Sequence, residues 1–285
     1  MTTTRWPAPA KLNLFLHVVG RRADGYHLLQ TLFQLIDRAD TIEIAVRDDG
    51  EIRRVRDVAG VPAESDLVVR AARALKTATG TKLGADLALT KRIPIGGGLG
   101  GGSSDAATTL AALNALWRCG LDTDALAALG LDLGADVPVF VRGRTAWAEG
   151  VGERLTPVKT PSRAYVVLDP GVAIATAAVF QAPELTRDSR PTTISRFVAG
   201  EPVRNDLEPV VRSMSPAVAD ALDWLGARAP ARLTGSGACV FAAFDRIEAA
   251  ERVAAECPDR FRAFVASGVE ESPLHAALRK FRAEG

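Results

Sequence analysis

The chain has 285 residues, 47% of them hydrophobic and 24% charged, with 35 Lys and Arg against 34 Asp and Glu. This composition suits a soluble globular protein of one large or two ordinary domains whose core needs no covalent staples. A net charge of +1 lacks the basic footprint of a nucleic-acid binder, and no run approaches the ~20 apolar residues of a membrane span. The cysteines Cys119, Cys239 and Cys257 are odd in number and far apart, which argues against a disulfide framework or zinc ribbon and for a reducing cytoplasm. Asn13 and His17 interrupt the apolar run near the N-terminus and no small-residue cleavage site follows, so no signal peptide is expected.

In chain order, AKLNLFLHVV (10–19) alternates Leu12, Leu14, Leu16 and Val18 with Lys11, Asn13, Phe15 and His17, the pattern of a half-buried strand in which Lys11 and Asn13 share a face. Asp24-Gly25 marks a turn, and DTIEIAV (40–46) reads as a second strand. Ser65 or Asp66 can cap a helix running to about Lys76, and ADLALTKRI (85–93) reads as a strand leading into a glycine loop. Ser103, Ser104 and Asp105 are N-cap candidates for the next helix, whose Ala107, Leu110, Ala111, Asn114 and Trp117 form one stripe at helical spacing. A helix over about 124–129 follows, then a start at Pro138, then a strand, turn and strand over 144–158. KTPSR (159–163) is the expected linker between domains 1–158 and 159–285. Beyond it come a strand at 164–169, a helix at 176–181, a polar segment at 183–193 and a capping-box spacing at Asn205 and Glu208. A strand pair at 232–244, a helix at about 247–256, a strand at 262–267 and a closing helix complete the chain, and the irregular mixture of strands and helices indicates an α+β protein.

The stretch PIGGGLGGGSSDAA holds six glycines between positions 96 and 102. A tight turn needs one or two. Strand, glycine loop and helix together create a place where backbone N–H groups converge on a phosphate. The loop closes on Gly-Ser-Ser and lacks the GK[ST] of a Walker A motif. Another helix follows, where a dinucleotide fold needs a second strand ending in an acidic residue. Lys11 could be a solvated strand lysine and Asp136 a plain helix-start residue; Ser103, Ser104 and Thr234 could be capping or turn residues. The three histidines have no metal spacing.

PIGGGLGGGSSDAA resembles the nucleotide-binding motif of the GHMP kinases, and PAKLNLFLHVVGRRADGYHLLQT and LTGSGACVFAAF resemble the family's N-terminal and C-terminal motifs. The combination with GADVPVF is similar to the branch whose acceptor is a cytidine-diphosphate-bearing methylerythritol of the non-mevalonate isoprenoid route, and the likeness runs from Trp6 to His275. The resemblance implies a two-domain α+β fold, ribosomal-protein-like then ferredoxin-like, with the active site in the cleft between. It implies ATP with Mg²⁺ as phosphoryl donor, held by Lys91, Pro94, Gly96, Gly97, Gly98, Leu99, Gly100, Gly101, Gly102, Ser103 and Ser104, with the Ser104 hydroxyl near the magnesium and no all-protein metal site. Asp136 would be the general base and Lys11 its partner. The acceptor would meet Asn13, Tyr26, His27, Thr176, Phe180 and Asp136, with Tyr26 and Phe180 around the cytosine and His27 on its edge; Gly235 and Gly237 would let the C-terminal domain approach it. Where the branch carries Asn, this chain has Asp66. The expected partner is this small molecule, with neither nucleic acid nor membrane, and the expected state a monomer or weak homodimer. A GHMP kinase for another alcohol, such as homoserine or mevalonate, and a nucleotide-binding protein without catalysis are the alternatives.

Overall fold

The computed structural model describes residues 2–284. Two long strands, β1 (Thr3–Arg21) and β2 (His27–Arg47), pair antiparallel along their length. The second edge of β2 carries β5 (Ala146–Gly150), then β10 (Arg262–Val269), then β4 (Gly84–Thr90). Short β3 (Ile52–Arg54) lies parallel to β4, and β6 (Arg154–Pro157) closes a hairpin with β5. From β10 the sheet continues through β7 (Ala164–Asp169) and β9 (Val240–Phe244) to β8 (Ala231–Leu233).

Helices α1 (Leu67–Thr79), α2 (Gly101–Leu116), α3 (Thr123–Leu131), α4 (Val137–Arg142) and the closing α10 (Pro273–Glu284) contribute to one apolar core together with Trp6, Phe33, Ile42, Ile44, Leu87 and Leu89. Helices α5 (Thr176–Gln181), α7 (Glu208–Met214), α8 (Pro216–Gly226) and α9 (Ile247–Ala255) cover the β7–β10 region around a second core, and α6 (Ile194–Val198) packs Phe197 near Phe15. A third cluster joins the two, uniting Leu12, Ile93 and Leu99 with Tyr165, Cys239 and Phe241.

Four expectations need correction. The first strand is buried on both faces, Phe15 as fully as Leu12, because Phe15 packs with Leu32 and Trp147 in a cluster of their own while Leu16 and Val18 enter the second core. Helix α2 is buried all round from Ser104 to Asn114, so its apparent stripe is only part of a central helix whose small Ala and Thr side chains let neighbours close in on every side. That helix begins at Gly101 after a left-handed Gly100, two residues before the serines offered as caps. Asn205 and Glu208 form no capping box: Asn205 Oδ1 accepts from Leu207 N, while Glu208 Oε2 accepts from Leu233 N in β8. Helix α8 has no counterpart among the expected elements, although Ser215 caps it ahead of Pro216. Asp66 does cap α1, accepting from Val68 N at 2.9 Å.

Candidate active site

Lys11 and Asn13 lie between two register shifts of the β1–β2 ladder, where irregular pairing re-aims side chains. The Lys11 ammonium is 3% exposed and donates to Asn13 Oδ1 at 2.5 Å and to Gly98 O at 2.9 Å, with the Phe33 ring 5.4 Å away. Its charged neighbour is Asp136 Oδ2 at 3.3 Å, a carboxylate 33% exposed at the start of α4. Asn13 is fixed from both ends: its Nδ2 donates to Thr31 Oγ1 at 2.9 Å and its N–H donates to Thr234 Oγ1 at 3.0 Å. Thr31 and Thr234 therefore act on the pair through Asn13. Thr31, which sequence reasoning missed, follows from the strand pattern only once its partner is known.

The glycine loop is tied to the C-terminal glycine motif by backbone. Ala238 N donates to Gly96 O at 3.2 Å and Cys239 N to Gly97 O at 3.1 Å, while Lys11 N donates to Leu99 O at 3.0 Å. Gly98 shows why a side chain is excluded: its φ is +75°, and a Cβ there would lie 2.1 Å from Thr234 O. At Gly97 the obstacle is the buried Cys239 sulfur, 2.6 Å from where a Cβ would sit, and burial pushes that thiol's pKa far above its ordinary range. Gly101 is not among the left-handed glycines, so the loop's dihedral requirement falls on its neighbours.

Two cavities meet at this loop. One, of about 870 Å³, runs over Lys11, Asn13 and Asp136 to Tyr26, His27, Thr176, Phe180 and the 235–237 turn. The other, of about 380 Å³, lies between the glycine loop and the start of α1, with Val58, Leu67, Leu89 and Pro94 as apolar walls. Ser103 lines both, whereas the Ser104 hydroxyl is fully buried without a hydrogen-bond partner and lines neither. Asp66 borders the smaller cavity, 3% exposed, and its negative charge is matched by Arg54 at 3.1 Å.

Lys91 also borders the smaller cavity, but its ammonium is engaged by Asp40 at 2.5 Å and Asp105 at 2.7 Å. Burial pulls the Lys91 pKa down, and the two carboxylates outweigh it and raise it. Asp105 is pushed up to about 7, chiefly by burial and further by Asp40, against the pull of Lys91. Asp40 Oδ1 meanwhile accepts from Ile93 N at 2.8 Å, so it braces the entry to the loop. No sequence motif marks Asp40 as a partner of Lys91.

At the far end of the larger cavity Tyr26 is 65% exposed on its turn. Phe180 is stacked on His27, ring centroids 5.0 Å apart and 27° between planes, and Thr176 Oγ1 is 2.6 Å from Ser236 Oγ. Arg187, from the polar segment whose sequence carries no motif, reaches His27 Nε2 at 3.2 Å. Among the described residues no three His, Cys, Asp or Glu side chains cluster as a metal site, and no helix is long and apolar enough to cross a membrane.

The family models for the GHMP kinases N terminal domain and GHMP kinases C terminal match residues 66–144 and 196–263. The 4-diphosphocytidyl-2-C-methyl-D-erythritol kinase of Alkalilimnicola ehrlichii is 60% identical over 274 residues, 96% of this chain and 94% of that protein. The enzyme of the same name from Halorhodospira halophila is 59% identical over 96% of each chain. A crystal structure of 4-(cytidine 5'-diphospho)-2C-methyl-D-erythritol kinase superposes with a TM-score of 0.81 at 36% identity, covering 93% of this chain and all of the other. A mevalonate kinase at 16% identity and a TM-score of 0.69 shares the fold. With two cavities meeting at one glycine loop and full-length relatives this similar, the chain belongs to the GHMP kinases, on the branch of the 4-diphosphocytidyl-2-C-methyl-D-erythritol kinases.

Proposed function

We propose that this protein is the small-molecule kinase that transfers the γ-phosphoryl group of ATP to the 2-hydroxyl of 4-diphosphocytidyl-2-C-methyl-D-erythritol in the non-mevalonate isoprenoid route. The observation that carries the reading is the Lys11–Asp136 pair, 3.3 Å apart on the floor of the larger cavity and next to the loop that borders the smaller one. Phosphoryl transfer asks a protein mainly for positioning and charge stabilisation. The smaller cavity, with apolar walls and the glycine loop along one side, suits a nucleotide with its base between the walls and its phosphates at the N-terminus of α2, whose free N–H groups favour anions. Asp136 accepts the proton of the acceptor hydroxyl, and the buried Lys11 ammonium stabilises the negative charge that grows on that oxygen. Asn13 and Gly98 O hold the ammonium, so it need not reorganise during the reaction.

Two hard oxygen ligands face the cleft, the Asp136 carboxylate on the larger cavity and the Ser103 hydroxyl, which lines both, whereas the buried Ser104 oxygen reaches neither. Asp136 and Ser103 would hold a magnesium ion brought by the nucleotide, which would supply charge neutralisation at the phosphates. At the far end Tyr26, His27 and Phe180 provide aromatic surface for the cytosine, with Thr176 beside them. We place the domain boundary at 158/159, with α10 returning to the first core, and read the protein as a cytoplasmic monomer or weak homodimer acting on small molecules without nucleic acid.

The test is a coupled ADP-release assay with ATP and, in turn, the cytidine substrate, homoserine and mevalonate. ADP release that depends on the cytidine substrate alone supports the reading; turnover of another alcohol assigns a different acceptor, and none with any acceptor leaves a nucleotide-binding protein.

A further inference from the structure

The polar segment after α5 has no role in the chemistry above, yet one of its side chains reaches into the acceptor end of the cleft. Arg187 donates from Nε to His27 Nε2 at 3.2 Å, and its terminal nitrogens donate to three carbonyls: Phe180 O at 3.0 Å, Ala182 O at 2.7 Å and Leu185 O at 3.0 Å. One guanidinium thus holds the imidazole and the backbone of the residue stacked on it. A guanidinium has only donors, so the nitrogen it faces must present a lone pair. The proton of a neutral His27 then sits on Nδ1, which has no protein partner among the described residues, and His27 lines the cleft.

We propose that Arg187 is a positioning residue that locks His27 in the neutral Nδ1–H tautomer, giving the cleft a fixed hydrogen-bond donor for the acceptor edge of cytosine. The proposal rests on the cytidine reading above. A histidine free to exchange tautomers would offer a lone pair for part of the time, and a lone pair facing the cytosine O2 and N3 lone pairs is repelled. The charged groups that act on the ring are both cations: burial first, then Arg187, then Arg21 lower the His27 pKa, so the ring stays neutral near pH 7. By gripping the carbonyls at the end of α5 the same side chain sets the Phe180 ring against His27, which ties stacking and edge recognition to one residue.

Nitrogen-15 NMR of the imidazole in the intact enzyme reads the tautomer directly and needs neither substrate nor variant. The expected spectrum has a protonated Nδ1, an unprotonated Nε2 and a titration midpoint below that of a free histidine. In Arg187→Gln the expected spectrum shows mixed tautomers and a midpoint moved upward, with KM for the cytidine substrate raised about 3- to 10-fold, the worth of one hydrogen bond. KM for ATP and kcat at saturating cytidine substrate should stay within about twofold. Arg187→Lys, which can still donate to Nε2 but cannot span all three carbonyls, should recover the tautomer while leaving part of the KM defect. A native His27 protonated on Nε2 overturns the proposal, as does a folded Arg187→Gln protein with unchanged KM for the cytidine substrate or with equal losses for both substrates. Failure of the native enzyme to turn over the cytidine compound would instead remove the cytidine reading, while the NMR result would still stand or fall separately.

Discussion

Asp136 does not cap its helix with its side chain, so the carboxylate is left for other work and lies a third exposed at 3.3 Å from a buried ammonium. Asp136→Asn keeps the shape and removes the proton acceptor. Turnover should fall ~10²- to 10⁴-fold with ATP affinity preserved, as titration calorimetry with a nonhydrolysable analogue would check. Near-native kcat in the folded variant would take Asp136 out of the mechanism. Asp105 makes a separate residue-scale claim. Its ordinary pKa of 3.8 is raised to about 7 in the folded protein, so the fold holds this proton more tightly than the unfolded chain does. The stability it contributes is complete below about pH 3.8 and is lost as the pH climbs through about 7. Asp105→Asn has no such slope, so its stability relative to the native protein should improve by at least about 1 kcal/mol between pH 5 and pH 8, measured by urea unfolding. His17 and His27, both lowered first by burial, titrate in the opposite sense but do so in both proteins and cancel in the difference. A gap that does not change with pH would show that another group holds the proton.

The glycine loop is the element whose sequence and structure explain each other best. Its residues are placed by backbone bonds to two other elements, and the fit at Gly98 leaves no room for even a methyl group. Gly98→Ala adds a backbone clash to a positive φ, strain worth ~1–3 kcal/mol, and should raise KM for ATP about 5- to 150-fold. Cytidine-substrate KM should move far less; an unchanged ATP KM would mean that the loop tolerates a side chain and that its glycines serve another purpose. The loop, the strand before it, the helix after it and the Lys11–Asn13 face were all legible, because period-two alternation and a glycine run are local signals. Solvent exposure was not. Alternation along β1 cannot reveal that Leu32 and Trp147 will bury Phe15 on the face it leaves to water, and the stripe of α2 cannot reveal that small side chains admit neighbours all round. Thr31, Asp40 and Arg187 escaped for the same reason: each acquires its role from a partner at least 16 residues away in the chain.

At the scale of the whole molecule, the two cores are stitched together more thoroughly than a linker at 159–163 suggests. Strand β10 pairs with β2 on one side and β7 on the other, α10 returns to the first core, and Leu16 and Val18 of the opening strand belong to the second. The glycine loop is bonded through Gly96 O and Gly97 O to the buried Ala238 and Cys239 of the C-terminal glycine motif. A jaw that closes on its substrate needs a hinge, and here the candidate hinge is crossed by a sheet and tied by buried backbone bonds. Ligand entry should therefore leave the radius of gyration unchanged in small-angle scattering with ATP analogue and cytidine substrate together, and a measurable contraction would reveal a hinge. Movement should be confined to the rim, above all to the turn that carries the exposed Tyr26. For anyone seeking inhibitors, the empty enzyme is then already the right mould: compounds fitted to the unliganded cleft should bind in the pose they were designed for, with no induced rearrangement to anticipate.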